Sequence, residues 1–72
     1  MGVSYKKLFK LLIDKDINKT ELANQANLSR TTLAKLSKNQ TVSMDVLMRI
    51  CEVLECNIGD VVDITEESKW DY

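Results

Sequence analysis

The apolar residues of this chain recur at intervals of three and four almost from end to end, a spacing that predicts helices throughout. Leu8, Leu11 and Leu12, with Tyr5, form one stripe, and Ser4 stands where an N-cap belongs, so a first helix is expected to reach about Lys15. Asn18 suits the cap of a second helix, with Glu21 as its reciprocal partner and Ile17 placed to staple onto Leu22. Asn27 tolerates the left-handed conformation that ends a helix. Leu28 then turns inward, and Ser29 caps a third helix from Arg30 to about Ser37, with Asn39 as its stop. Ser43 caps a fourth, carrying Val46, Leu47, Ile50, Cys51 and Leu54 at helical spacing. Asn57 and Asp60 open a short fifth containing Val61 and Val62. The chain has no proline, two glycines and no alternating strand pattern. The fold class expected is therefore all-α, with five short helices joined by short turns.

Seventy-two residues make one domain, read as residues 1–64 followed by an acidic tail, 65–72, that ends in Trp70, Asp71 and Tyr72. A core of this size buries only about 60% of the unfolded surface, so outside support is common. Metals and disulfides look poorly provided for. There is no histidine, and the five-residue spacing of Cys51 and Cys56 on a helix turns their side chains about 140° apart. The sulfurs are thus expected to face apart, as free thiols in a reducing compartment. Oligomerisation remains. Val61, Val62 and Ile64 cannot all face inward from one short helix and its exit, which points to a homodimer through the C-terminal region. No segment approaches the roughly 18 apolar residues of a membrane span, and the first residues have no signal-peptide core. Lys6 stands where a myristoylation pattern would need Ser or Thr. A cytoplasmic protein is expected.

Charge is divided along the chain. Residues 1–40 hold eight basic and three acidic side chains, a net of +5, whereas residues 41–72 hold two basic and eight acidic, a net of −6. The whole-chain net charge of −1 hides this separation, which suggests a basic face on an acidic body.

The segment Asn18–Ser37 reads as a helix-turn-helix. Leu22 and Ala26 face inward, Ala23 is small where two helices cross, Asn27 makes the turn, and Leu28, Leu33 and Leu36 anchor it. With those positions taken, Arg30, Thr31, Ala34 and Lys35 must point away from the protein, the geometry of a helix that enters a major groove. Catalysis is not expected: the chain carries no metal-ligand spacing, glycine-rich phosphate loop or nucleophile motif, and no cofactor is implied. Phe9 and Tyr5 are read as core residues rather than stacking platforms for single strands.

Residues Tyr5 to Ile64 resemble the small stand-alone members of the Cro-type, lambda-repressor-like (XRE-type) domain, with Val42–Val62 resembling their fourth and fifth helices. Asn27 departs from the family by replacing the usual turn glycine, and much of the tail beyond Ile64 lies outside the shared pattern. The resemblance implies a protein of double-stranded DNA, most simply a bacterial or phage-borne transcriptional repressor. It places base contacts on Arg30, Thr31 and Lys35. Phosphate contacts fall to Lys19, Ser29, Thr32, Lys38 and Asn39, with Lys19 favoured by its position at a helix start. The rival expectation is an antitoxin or adaptor that works mainly through protein–protein contacts of the acidic half.

Overall fold

The computed structural model describes residues 2–65. Four α-helices run Lys6–Asp14 (α1), Lys19–Ala26 (α2), Arg30–Ser37 (α3) and Met44–Leu54 (α4). A single 3-10 turn, Ile58–Asp60, follows. Two three-residue strands, β1 (Gly2–Ser4) and β2 (Asp63–Thr65), pair antiparallel, with Val3 opposite Ile64. None of the helices is long and apolar enough to cross a membrane.

The cap residues act largely as their chemistry dictates. Asn18 Oδ1 accepts the Glu21 N–H at 2.8 Å while Glu21 Oε1 reaches back to the Asn18 N–H at 3.5 Å. Ser29 Oγ accepts the Thr32 N–H at 3.1 Å, and Ser43 Oγ accepts the Val46 N–H at 3.3 Å. All four helices stop in the same way. Asp16, Asn27, Asn39 and Glu55 each adopt a positive φ of 53–56°. The following N–H then bonds back to a carbonyl in the last turn: Ile17 to Leu12, Leu28 to Ala23, Gln40 to Lys35 and Cys56 to Cys51, at 2.8–3.1 Å. No glycine stands at any of these positions.

The core is built from Tyr5, Leu8 and Leu12 of the first segment, Leu22 and Ala26 of α2, Leu36 of α3, four residues of α4, and Val61. No polar or charged side chain is buried among the described residues, apart from the phenol of Tyr5, whose hydroxyl donates to the Gln40 carbonyl at 2.7 Å. Helix α2 packs against α4, and Leu36 pins α3 to the same centre.

Three expectations need correction. The fifth helix is only one 3-10 turn: Gly59 at its centre and the β-branched Val61 and Val62 after it favour helix poorly, and Asp63 is drawn into the strand pair. The chain also has a small β-ribbon, so it is mainly helical rather than purely so. Three residues per strand are too few to show alternation, and the pairing depends on a tertiary closure of the two chain regions. Ser4 consequently belongs to β1; Tyr5 takes the N-cap position of α1 without a side-chain cap, though Ser4 Oγ still accepts the Lys6 N–H at 3.3 Å.

The third correction concerns the cysteines. Helix α4 ends at Leu54, and the left-handed Glu55 turns the chain so that the Cys56 N–H bonds the Cys51 carbonyl at 3.1 Å. Cys56 therefore returns toward Cys51, and the two cysteines, both free, line one cleft. Burial pushes the Cys56 thiol pKa up, and the adjoining Cys51 and Asp60 push in the same direction. The expected 140° separation assumed an unbroken helix.

Of the C-terminal apolar residues, Val61 is fully buried, Val62 is half-buried, and Ile58 and Ile64 are exposed. Trp70 and Tyr72 lie outside the described residues.

Candidate nucleic-acid interface

Helix α3 owes its presentation to what lies on its other side. Leu36 is fully buried and Leu33 packs against the core, whereas Arg30, Thr31, Ala34 and Lys35 are all exposed. At about 100° per residue these four span one face of the helix, opposite the two leucines. The three residues expected to read bases thus share one solvent-facing surface at the first two turns of α3.

The turn before α3 is held from several sides. Asn27 is left-handed, the Leu28 N–H bonds the Ala23 carbonyl at 2.8 Å, and Leu28 packs on the core. Arg49 of α4 adds a contact that the sequence reading missed: its Nη1 donates to the Asn27 carbonyl at 3.0 Å while Nη2 pairs with Asp45 at 3.1 Å. A sequence signal for it exists. Arg49 and Lys69 are the two basic residues of an otherwise acidic half.

The exit of α3 is held by Tyr5, whose backbone N–H donates to Asn39 Oδ1 at 3.1 Å and whose hydroxyl reaches the Gln40 carbonyl. Burial raises the Tyr5 pKa, with the Val42 backbone acting weakly the other way. Asn39 thus spends its carbonyl oxygen internally, and its amide NH2 is the end left for an external acceptor.

The phosphate candidates fall into two groups. Ser29 and Thr32 lie at the start of α3, with Ser29 Oγ donating to Thr32 Oγ1 at 3.0 Å. Lys19 lies at the start of α2 but reaches toward the far end of α3: its Nζ stands 4.7 Å from the centre of the Phe9 ring and 3.5 Å from Ser37 Oγ. This brings it to the end of α3 from which Lys38 and Asn39 continue, both exposed. Not every basic residue joins this face. Lys7 pairs with Asp63 at 3.1 Å and donates to the Gly59 carbonyl at 3.2 Å. Together with Lys10 and Lys15 it lines a cleft shared with Glu55 and Asp60. The charge division is therefore partly closed in space, whereas Lys19, Arg30, Lys35 and Lys38, on or beside the helix-turn-helix, form no ion pair among the described residues.

Two helices, a left-handed turn and an exposed basic face on the second helix make a helix-turn-helix of the DNA-binding kind. Residues 7–67 match the profile of the Cro/C1-type HTH DNA-binding domain. The chain belongs to the Cro/C1-type helix-turn-helix family. This domain also shares its fold with the crystal structure of the transcriptional regulator VanUg, at a TM-score of 0.84 and 52% sequence identity over 86% of this chain and 83% of that one. No curated protein matches the sequence. As a Cro/C1-type domain, the chain is a DNA-binding protein, and its helix-turn-helix is α2, the Asn27 turn and α3.

Proposed function

We propose that this Cro/C1-type protein is a sequence-specific transcriptional regulator, most simply a repressor that occupies a promoter or operator, and that it reads the major groove with α3. The observation that carries the proposal is the common exposure of Arg30, Thr31 and Lys35 on the face of α3 opposite the anchored Leu33 and Leu36. Arg30 has the fork to pair with guanine O6 and N7, Thr31 a methyl for thymine or a hydroxyl for a base edge, and Lys35 the reach for a base or phosphate one turn further on. Lys19, Lys38 and Asn39 flank one end of the helix, and Ser29 and Thr32 the other, so backbone contacts on both sides fix the register. The likeness to a transcriptional regulator at 52% identity supports the regulatory role.

One recognition helix offers few base contacts, so discrimination over a genome calls for two copies on a pseudo-palindrome with half-sites about one helical turn apart. The exposure of Ile64 on β2 supports the C-terminal region as the site of such a homodimer. Selection of bound duplexes from a random library tests the reading. It should yield one enriched motif with two-fold symmetry; recovery of no preferred sequence would contradict sequence-specific regulation.

A further inference from the structure

Residues 2–65 contain four sulfur-bearing side chains, Met44, Met48, Cys51 and Cys56, and all four line one cleft of about 390 Å³ between α4 and the 3-10 turn. Two independent features bring them together. Met44, Met48 and Cys51 stand at positions i, i+4 and i+7 of α4, a single stripe. Cys56 joins them because Glu55 is left-handed and the Cys56 N–H closes on the Cys51 carbonyl at 3.1 Å. Both cysteines therefore face the same cleft. Met48 is one turn before Cys51 and 60% exposed, so its flexible thioether is free to swing toward them. Leu47 and Ile58 give the cleft apolar walls.

We propose that Cys51, Cys56 and Met48 form a three-coordinate site for a soft monovalent cation, Cu(I). The donor set decides the class of ion. Thiolate and thioether sulfur select Cu(I), whereas structural zinc takes four nitrogen or sulfur ligands. The chain has no histidine, and among the described residues no three His, Cys, Asp or Glu side chains come together that could hold a metal ion. Glu52 and Asn57 also line the cleft but offer hard oxygen donors, so the soft third donor it supplies is a thioether. Met44 stands two turns from Cys51, about 10 Å along the axis, and falls outside the site. Binding forms two thiolate–copper bonds and one thioether–copper bond. The two thiol protons leave to solvent, and copper keeps its oxidation state.

The test is an anaerobic competition of the full chain against a chromogenic Cu(I) chelator, with far-UV circular dichroism to show that each variant is folded. The wild type should withdraw one Cu(I) per chain. Cys56→Ser should abolish this, Met48→Leu should weaken it by at least about tenfold, and Met44→Leu should leave it unchanged. Failure of the folded wild type to withdraw copper would overturn the proposal. So would a Met48→Leu variant that binds like the wild type, or equal losses from Met44→Leu and Met48→Leu.

Discussion

The Arg49 guanidinium donates to the main-chain carbonyl of Asn27 at 3.0 Å, across 22 residues of sequence, and so ties α4 to the turn that aims α3. Arg49 also pairs with Asp45 at 3.1 Å, but Asp45 is largely exposed and an i,i+4 surface pair contributes little. The two contacts should separate by mutation. Arg49→Ala should destabilise the domain by about 1 kcal/mol, the size of a charge-assisted hydrogen bond discounted for partial exposure, whereas Asp45→Ala should change stability by less than about 0.5 kcal/mol. Urea unfolding of both variants checks this, and equal losses would mean that the ion pair rather than the turn contact matters.

Glu55 occupies a left-handed position at φ 53° with no side-chain hydrogen bond of its own among the described residues. Asn27 and Asn39 share that conformation but belong to a residue type that tolerates it. Relief of left-handed strain is worth roughly 1–2 kcal/mol, offset by about 0.5–1 kcal/mol of extra unfolded-chain entropy for glycine. Glu55→Gly should therefore raise stability by up to about 1 kcal/mol, and Asn39→Gly should not, since it also deletes the bond to the Tyr5 N–H. Thermal unfolding of the pair decides it.

The raised pKa of Tyr5 means that the fold favours the neutral phenol. Its contribution is fully present below the ordinary tyrosine value of about 10 and is lost as pH rises through the higher folded value. Stability should accordingly fall on the alkaline side. Tyr5→Phe should flatten that fall while costing about 1 kcal/mol at neutral pH through loss of the bond to the Gln40 carbonyl. Absorbance titration of tyrosinate should show one late-ionising group in the wild type and none in Tyr5→Phe.

Much of the fold could be read from the sequence because it is local. Asn18 with Glu21, and Ser29 and Ser43, satisfy N–H groups three residues away, so their roles follow from residue type and spacing. The exposure of Arg30, Thr31 and Lys35 followed in the same way from the positions of Leu33 and Leu36. What escaped was non-local or depended on where a helix stops. The β1–β2 ribbon joins the two ends of the described chain, and the bond from Arg49 to Asn27 spans two elements. The meeting of Cys51 and Cys56 required Glu55, a residue type that seldom turns left-handed, to end α4. The lean of Lys19 across Phe9 toward Ser37 is likewise a tertiary fact.

Self-association should be separable from folding. Ile64 is 63% exposed on β2, so Ile64→Glu should leave helical content intact while weakening any dimer built there. The acidic residues of the C-terminal half should make that contact stronger at higher salt, opposite to DNA binding. Sedimentation equilibrium of both chains, with and without a duplex carrying two half-sites, tests this. Monomers throughout, with no cooperativity on the duplex, would contradict the dimer.

The central claim is that the exposed face of α3 reads bases while its flanks hold phosphates, and salt-dependent affinities for the selected site and for random duplex test it most directly. Arg30→Ala should lose about ten- to hundredfold on the selected site, the ~1–3 kcal/mol of a bidentate guanine contact, and should relax base choice at one position. Lys19→Ala should weaken both duplexes alike and reduce the slope of log affinity against log salt by roughly one unit. If Arg30→Ala instead lowers affinity for selected and random DNA equally, with the salt slope reduced as for Lys19→Ala, then Arg30 is a phosphate contact and α3 does not read the groove in this way.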